Sequence, residues 1–170
     1  ALGAAVATGK TAVFSVVPGP GFLNAAAALS TAYALNAKVF ALVGQIPTGK
    51  LGKQEGVLHE INDQLGIMQR LTKWSERVVS PPQAPSLIAE AFRQLDSDRP
   101  RPVALEVPMD VLKTTSEIDL EAIAGEPYVP PLNTELVEKA AKALGNAKNP
   151  MIYTGMGAFG VSEEVKVLAE

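Results

Sequence analysis

Three short apolar runs, each fenced by Gly or Pro, set the pattern of this chain. Ala12–Val17 (AVFSVV), Lys38–Gly44 (KVFALVG) and Val103–Val107 (VALEV) are nearly continuous in hydrophobicity and rich in β-branched side chains. Continuous runs of this length mark strands covered on both faces, as in parallel sheets. Between the first two, Phe22–Asn36 (FLNAAAALSTAYALN) predicts a helix whose alanines let it lie close to a sheet. Strand, helix and strand in that order predict a βαβ unit with parallel strands and a right-handed crossover. Further along, Asn62–Leu71 reads as helix, Arg77–Ser80 as a short strand end and Ser86–Leu95 as an amphipathic helix after a Pro-rich entry.

The pattern changes after the third run. Residues 114–132 are acidic, contain Pro and hold no sustained period, so they predict a linker. Asn133 then fits as the cap of a helix to about Leu144, Pro150–Thr154 as a strand, and Gly155 onward as a turn into another helix. The expected architecture is α/β: a doubly wound parallel sheet over residues 1–113, a linker, and the beginning of a second, Rossmann-like α/β domain over 133–170. The chain opens on an Ala-rich helix tail at Ala1 and closes at Glu170 inside a helical pattern, which leads us to expect a piece of a longer protein.

Composition narrows the function. A net charge of −3 offers no basic face for nucleic acid. The absence of cysteine excludes disulfides, thiolate nucleophiles and Cys-based metal sites. No apolar run approaches the roughly 18 to 20 residues of a membrane span, and no signal-peptide pattern opens the chain, so a cytoplasmic protein without membrane partners is expected. Gly155-Met156-Gly157-Ala158-Phe159-Gly160 matches G-x-G-x-x-G between a predicted strand and helix, the context of a dinucleotide turn. A nucleotide-binding (NAD or FAD) module using Gly155–Gly160 is therefore one functional reading, and a non-catalytic relative of an enzyme is another.

A second set of motifs points elsewhere. GPGFLNAAAAL from Gly19, GQIP from Gly44, LHEINDQ from Leu58, LTKW from Leu71 and RPVALEVPMDV from Arg101 follow one another in order. Together they resemble the thiamine-diphosphate-dependent enzymes of the acetolactate synthase and benzoylformate decarboxylase type. There the pyrimidine-binding domain reads GPG-x-x-N, GQ, FQE, TK and P-x-D in the same succession. The resemblance implies a 2-keto acid decarboxylase or carboligase, active as a homodimer or homotetramer. It also implies thiamine diphosphate with Mg²⁺, the diphosphate and metal being held on a domain absent here, and it leaves FAD on the central domain open. The glutamate that activates the cofactor in such enzymes would lie upstream of Ala1.

The resemblance also assigns residues. Gly19, Pro20, Gly21 and Asn24 would line the aminopyrimidine pocket, although Asn24 could instead merely cap its helix. Gln45, directly after the second strand, would face cofactor and substrate at a carboxyl end, where open α/β sheets place ligands. His59, the one histidine, takes the place of Gln in FQE, with Leu58 for Phe. It would transfer a proton or position substrate, against the alternative of a structural histidine. Glu60 and Lys73 match the acid and lysine of FQE and TK. They would serve the site, a dimer contact or a surface ion pair. Ile67, Met68 and Trp74 read as packing residues. No metal ligands are expected on this chain.

Overall fold

A computed structural model describes residues 1–120 and 125–170. These fall into two compact units, Ala1–Pro130 and Pro131–Glu170. Part of the expected linker, residues 121–124, lies outside the described residues.

In the first unit, β1 (Ala12–Val16), β2 (Val39–Gln45), β3 (Trp74–Arg77) and β4 (Val103–Pro108) form one parallel sheet in the order β1-β2-β4-β3. The apolar runs dictate this, because β2 and β4 sit inside the sheet and must be apolar on both sides. Side-chain alternation divides the core. Val39, Ala41 and Val43 of β2 and Ala104 of β4 pack with α1 (Leu2–Thr8), α2 (Pro20–Ala34) and α3 (Gln64–Leu71), through Ala5, Phe22, Leu29 and Met68. On the other face Phe40, Val103 and Leu105 pack against Ala91 and Leu95 of α4 (Ala84–Asp96) and reach Val111 of α5 (Met109–Lys113). Phe40 meets Phe92 edge to face, with ring centroids 5.7 Å apart. The result is the expected α/β layering, with helices on both faces of a parallel sheet.

One boundary differs. The third strand in sequence begins at Trp74, not Arg77. The β-branched Val78 and Val79 draw the eye downstream, but register is set by the partner: Trp74 lies opposite Val103 and Arg77 opposite Glu106. The Lys73 N–H extends the ladder to the Pro102 carbonyl, 3D pairing that local propensity does not encode.

Lys73 turns its side chain back onto the fold. Its ammonium donates to the carbonyls of Gln94 (2.8 Å), Arg99 (3.2 Å) and Ser97. These carbonyls lie at and just beyond the end of α4, so the lysine closes the carbonyl-rich terminus of that helix with positive charge. Burial holds its pKa below the ordinary lysine value of 10.5, with nearby Asp98 opposing the shift. Ser97 adds a second tie, its hydroxyl accepting from the Tyr128 N–H at 2.8 Å while the Asp98 N–H reaches the Tyr128 carbonyl.

The second unit contains α6 (Thr134–Gly145) and α7 (Ser162–Ala169). Asn133 caps α6 as expected, its side chain accepting from the Leu136 N–H at 3.0 Å. The strand expected over Pro150–Thr154 is not formed. An extended segment without a neighbouring strand leaves its backbone groups unpaired, and no second strand is described in this unit. The Gly155–Gly160 segment is mostly a 3₁₀ turn, Met156–Val161, and none of its glycines has positive φ. The strand-turn-helix context of a dinucleotide fingerprint is therefore absent from the described residues.

Replacing Lys73 by Met should lower stability by about 1–3 kcal/mol, the range for losing hydrogen bonds from a charged donor. Thermal unfolding checks this, and an unchanged midpoint would show that the lysine contributes nothing to closing α4.

Candidate functional site

The carboxyl ends of β2, β3 and β4 meet around one buried carboxylate. Glu106, next to last but one in β4, has no exposed surface. It accepts from Gln45 Nε2 at 2.8 Å, Gln64 Nε2 at 2.9 Å and Arg77 Nε. Each donor comes from a different element: Gln45 closes β2, Gln64 opens α3 and Arg77 closes β3. A charge out of water needs such a set of donors, and the guanidinium supplies the opposite charge. Gln64 reaches further, donating also to the Gly44 carbonyl at 3.0 Å and accepting the Gly19 N–H at 2.8 Å.

Gly19 begins the turn between β1 and α2. At φ 59° and ψ −115° it occupies backbone space open to glycine. A Cβ there would overlap the backbone carbonyl oxygen of His59. Pro20 fits the first position of α2, where its missing N–H costs nothing. Gly21 lies so close to Val17 that a Cβ would come 2.6 Å from Cγ2. Asn24 is not the cap, a place taken by Gly19 without any side-chain bond. It stands exposed in the second turn of α2.

Gln45 and His59 differ in how far the fold itself engages their side chains. Gln45 is buried, and its carboxamide is used internally: Nε2 binds Glu106 and Oε1 accepts the Ile46 N–H at 2.8 Å. His59 is half-buried at φ 70°, and its imidazole makes no hydrogen bond among the described residues. Its backbone, by contrast, packs on the Gly19 turn. The intervening loop is pinned at both ends. Near its root Thr48 donates its N–H to Asp110 Oδ1 at 3.1 Å and its hydroxyl to Oδ2. Near its end Glu60 accepts the Val57 N–H at 2.9 Å, and Asp63 caps α3 through the Gly66 N–H at 3.0 Å. Beside this assembly lies an apolar cavity of about 710 Å³, walled in part by Val16, Pro18, Gly44, Gln45, Met109 and Leu112.

The motifs single out Gly19, Pro20, Gly21, Asn24, Gln45 and His59, whereas the polar network beneath them is made by Glu106, Arg77 and Gln64, which no motif singled out. The signal for Glu106 was available: a lone acid in the apolar run VALEV has no place in a buried parallel strand unless donors converge on it.

Comparison with known proteins shows what this chain is similar to. Residues 1–67 match the model of the thiamine pyrophosphate enzyme N-terminal TPP binding domain. A probable 2-ketoarginine decarboxylase of Pseudomonas aeruginosa is 37% identical over 169 residues, covering 99% of this chain and 30% of the relative. The large subunit of acetolactate synthase isozyme 1 from Escherichia coli is 32% identical over 171 residues, covering all of this chain and 30% of the relative. The chain belongs to the thiamine-pyrophosphate enzyme family.

A thiamine diphosphate-dependent 4-hydroxybenzoylformate decarboxylase from Rhodococcus jostii shares the fold, with a TM-score of 0.71 at 23% identity over 85% of this chain and 27% of that one. This chain spans about 30% of the length of the curated thiamine-pyrophosphate enzymes it matches. Among the described residues no three His, Cys, Asp or Glu side chains converge as metal ligands, and no helix is long and apolar enough to cross a membrane.

Two outcomes follow from this geometry. Gly19→Ala should cost about 2–4 kcal/mol, combining strained backbone with overpacking against His59. Denaturant unfolding checks it, and a loss below about 1 kcal/mol, small beside the usual cost of overpacking, would mean the turn yields freely. The Thr48 hydroxyl, with its N–H, holds the Asp110 pKa below the ordinary value of 3.8. The latch is accordingly complete above that value and weakens as pH falls through the lower, folded one. Following the Asp110 carboxyl by NMR, its midpoint should rise in Thr48→Val, and an unmoved midpoint would count against the latch.

Proposed function

We propose that this chain forms the pyrimidine side of a thiamine-diphosphate-dependent 2-keto acid decarboxylase or carboligase, whose active site a second subunit of a homodimer or homotetramer completes. The observation that carries this reading is the meeting of the Gly19 turn, Gln45 and the His59 loop at the carboxyl ends of one parallel sheet. Parallel α/β sheets bind ligands at that edge. The names of the relatives support the chemistry, since both a 2-ketoarginine decarboxylase and an acetolactate synthase are among them.

The residues present fit a flat, largely apolar heteroaromatic ring. Gly19 and Gly21 let the β1–α2 turn pack tightly on His59 and Val17, and the adjoining cavity has apolar walls with an amide at its edge. When bound, thiamine diphosphate supplies a carbanion nucleophile and an electron sink. Around it Asn24 offers an exposed carboxamide one turn into α2. The imidazole of His59, without a hydrogen-bond partner among the described residues, can move a proton or orient a substrate carboxylate. Gln45 serves by holding the wall of the pocket, since its amide already bonds Glu106 and Ile46. The diphosphate and Mg²⁺ are held elsewhere than on this chain.

The test uses the natural protein with thiamine diphosphate, Mg²⁺ and a panel of 2-keto acids. Release of CO₂ is expected, and Asn24→Ala should raise the cofactor concentration needed for half-maximal rate by about tenfold, the value of one good hydrogen bond. Calorimetric titration of this chain alone should show no tight binding. Tight one-to-one binding by the chain alone, or no CO₂ from any 2-keto acid, would overturn the reading.

A further inference from the structure

The buried carboxylate of Glu106, on β4, is not among the residues that the proposed chemistry uses, yet it bonds the ends of β2 and β3 and the start of α3. From Glu106 a bonded path runs through Gln64 to the Gly19 N–H, with links of 2.9 and 2.8 Å. A shorter branch runs to Gln45 at 2.8 Å. Arg77 anchors the carboxylate from β3, its side chain 28% exposed while that of Glu106 is wholly covered.

We infer that Glu106 is a positioning residue: through Gln64 it sets the Gly19 turn, and through Gln45 it sets the pocket wall, so that one carboxylate fixes both sides of the ligand crevice. The inference rests on the cofactor reading for its purpose but not for its mechanism. The donor and acceptor inventory shows why a carboxylate is required. Gln45, Gln64 and Arg77 all present N–H groups to position 106, so its side chain must be acceptor-only. Gln64 must in turn be an amide. It donates to Glu106 and Gly44 with its two N–H groups and accepts from Gly19 with its oxygen, which fixes the amide in a single orientation. An amide at position 106 would set its own NH₂ either against Arg77 Nε or against the amides of Gln45 and Gln64, and the second orientation turns Gln64 over. Turning Gln64 sets its NH₂ against the Gly19 N–H.

Amide hydrogen exchange on the full chain separates this from general destabilisation. In Glu106→Gln the Gly19 amide should exchange about tenfold faster, the ratio equivalent to one lost buried hydrogen bond of ~1.4 kcal/mol. The ladder amides of Ala41 and Leu105 should keep their protection. Arg77→Lys is the milder variant, because Arg77 is partly exposed and the substitution keeps the charge. It should raise Gly19 exchange by severalfold and decides the matter should Glu106→Gln not fold. Unchanged Gly19 exchange in a folded variant, or equal acceleration at Gly19 and in the ladder, would overturn the inference. Acceleration confined to Gly19 supports it even where the cofactor titrations fail, so the two readings fall separately.

Discussion

A carboxylate with no exposed surface must find enough donors to replace water, and the demand is strict because a missing partner costs more than a present one contributes. Glu106 meets that demand with Gln45, Gln64 and Arg77. These sit at the end of β2, the start of α3 and the end of β3, so satisfying one charge fixes one terminus of each of three elements. The fourth strand joins indirectly, since Gln64 accepts from the turn that follows β1. The apolar core on either face holds the sheet together but leaves its carboxyl edge undefined. The polar hub defines it.

The same division explains how far the amino-acid sequence could be read. β1, β2 and β4 were legible because buried parallel strands leave unbroken apolar runs, and α2 because its alanines fit a helix against a sheet. The limits of β3 were not, because pairing opposite Val103 to Glu106 is decided by a strand some thirty residues away. The segment Pro150–Thr154 has strand-like composition but no second strand in its unit to pair with, and composition cannot provide one.

For the site, motif register located the backbone features and missed the network beneath them. Gly19, Pro20 and Gly21 announce themselves, since glycine and proline have few other reasons to alternate there. Gln64 and Arg77 are ordinary polar residues by every local measure, and only the fold shows that they share one acceptor. Lys73 teaches the converse. A lysine in a family motif suggested a site role, a dimer contact or a surface ion pair, and within this chain its ammonium donates to three carbonyls at and just beyond the end of α4.

The contact between Gly19 and His59 is made by a carbonyl, not by an imidazole. The scaffold asks of position 59 only a left-handed backbone, which histidine tolerates better than most residues. Shape and reactivity are thereby uncoupled at this point. The turn can be kept unchanged while the side chain above it is exchanged, so position 59 can vary in chemistry without cost to the backbone it supports.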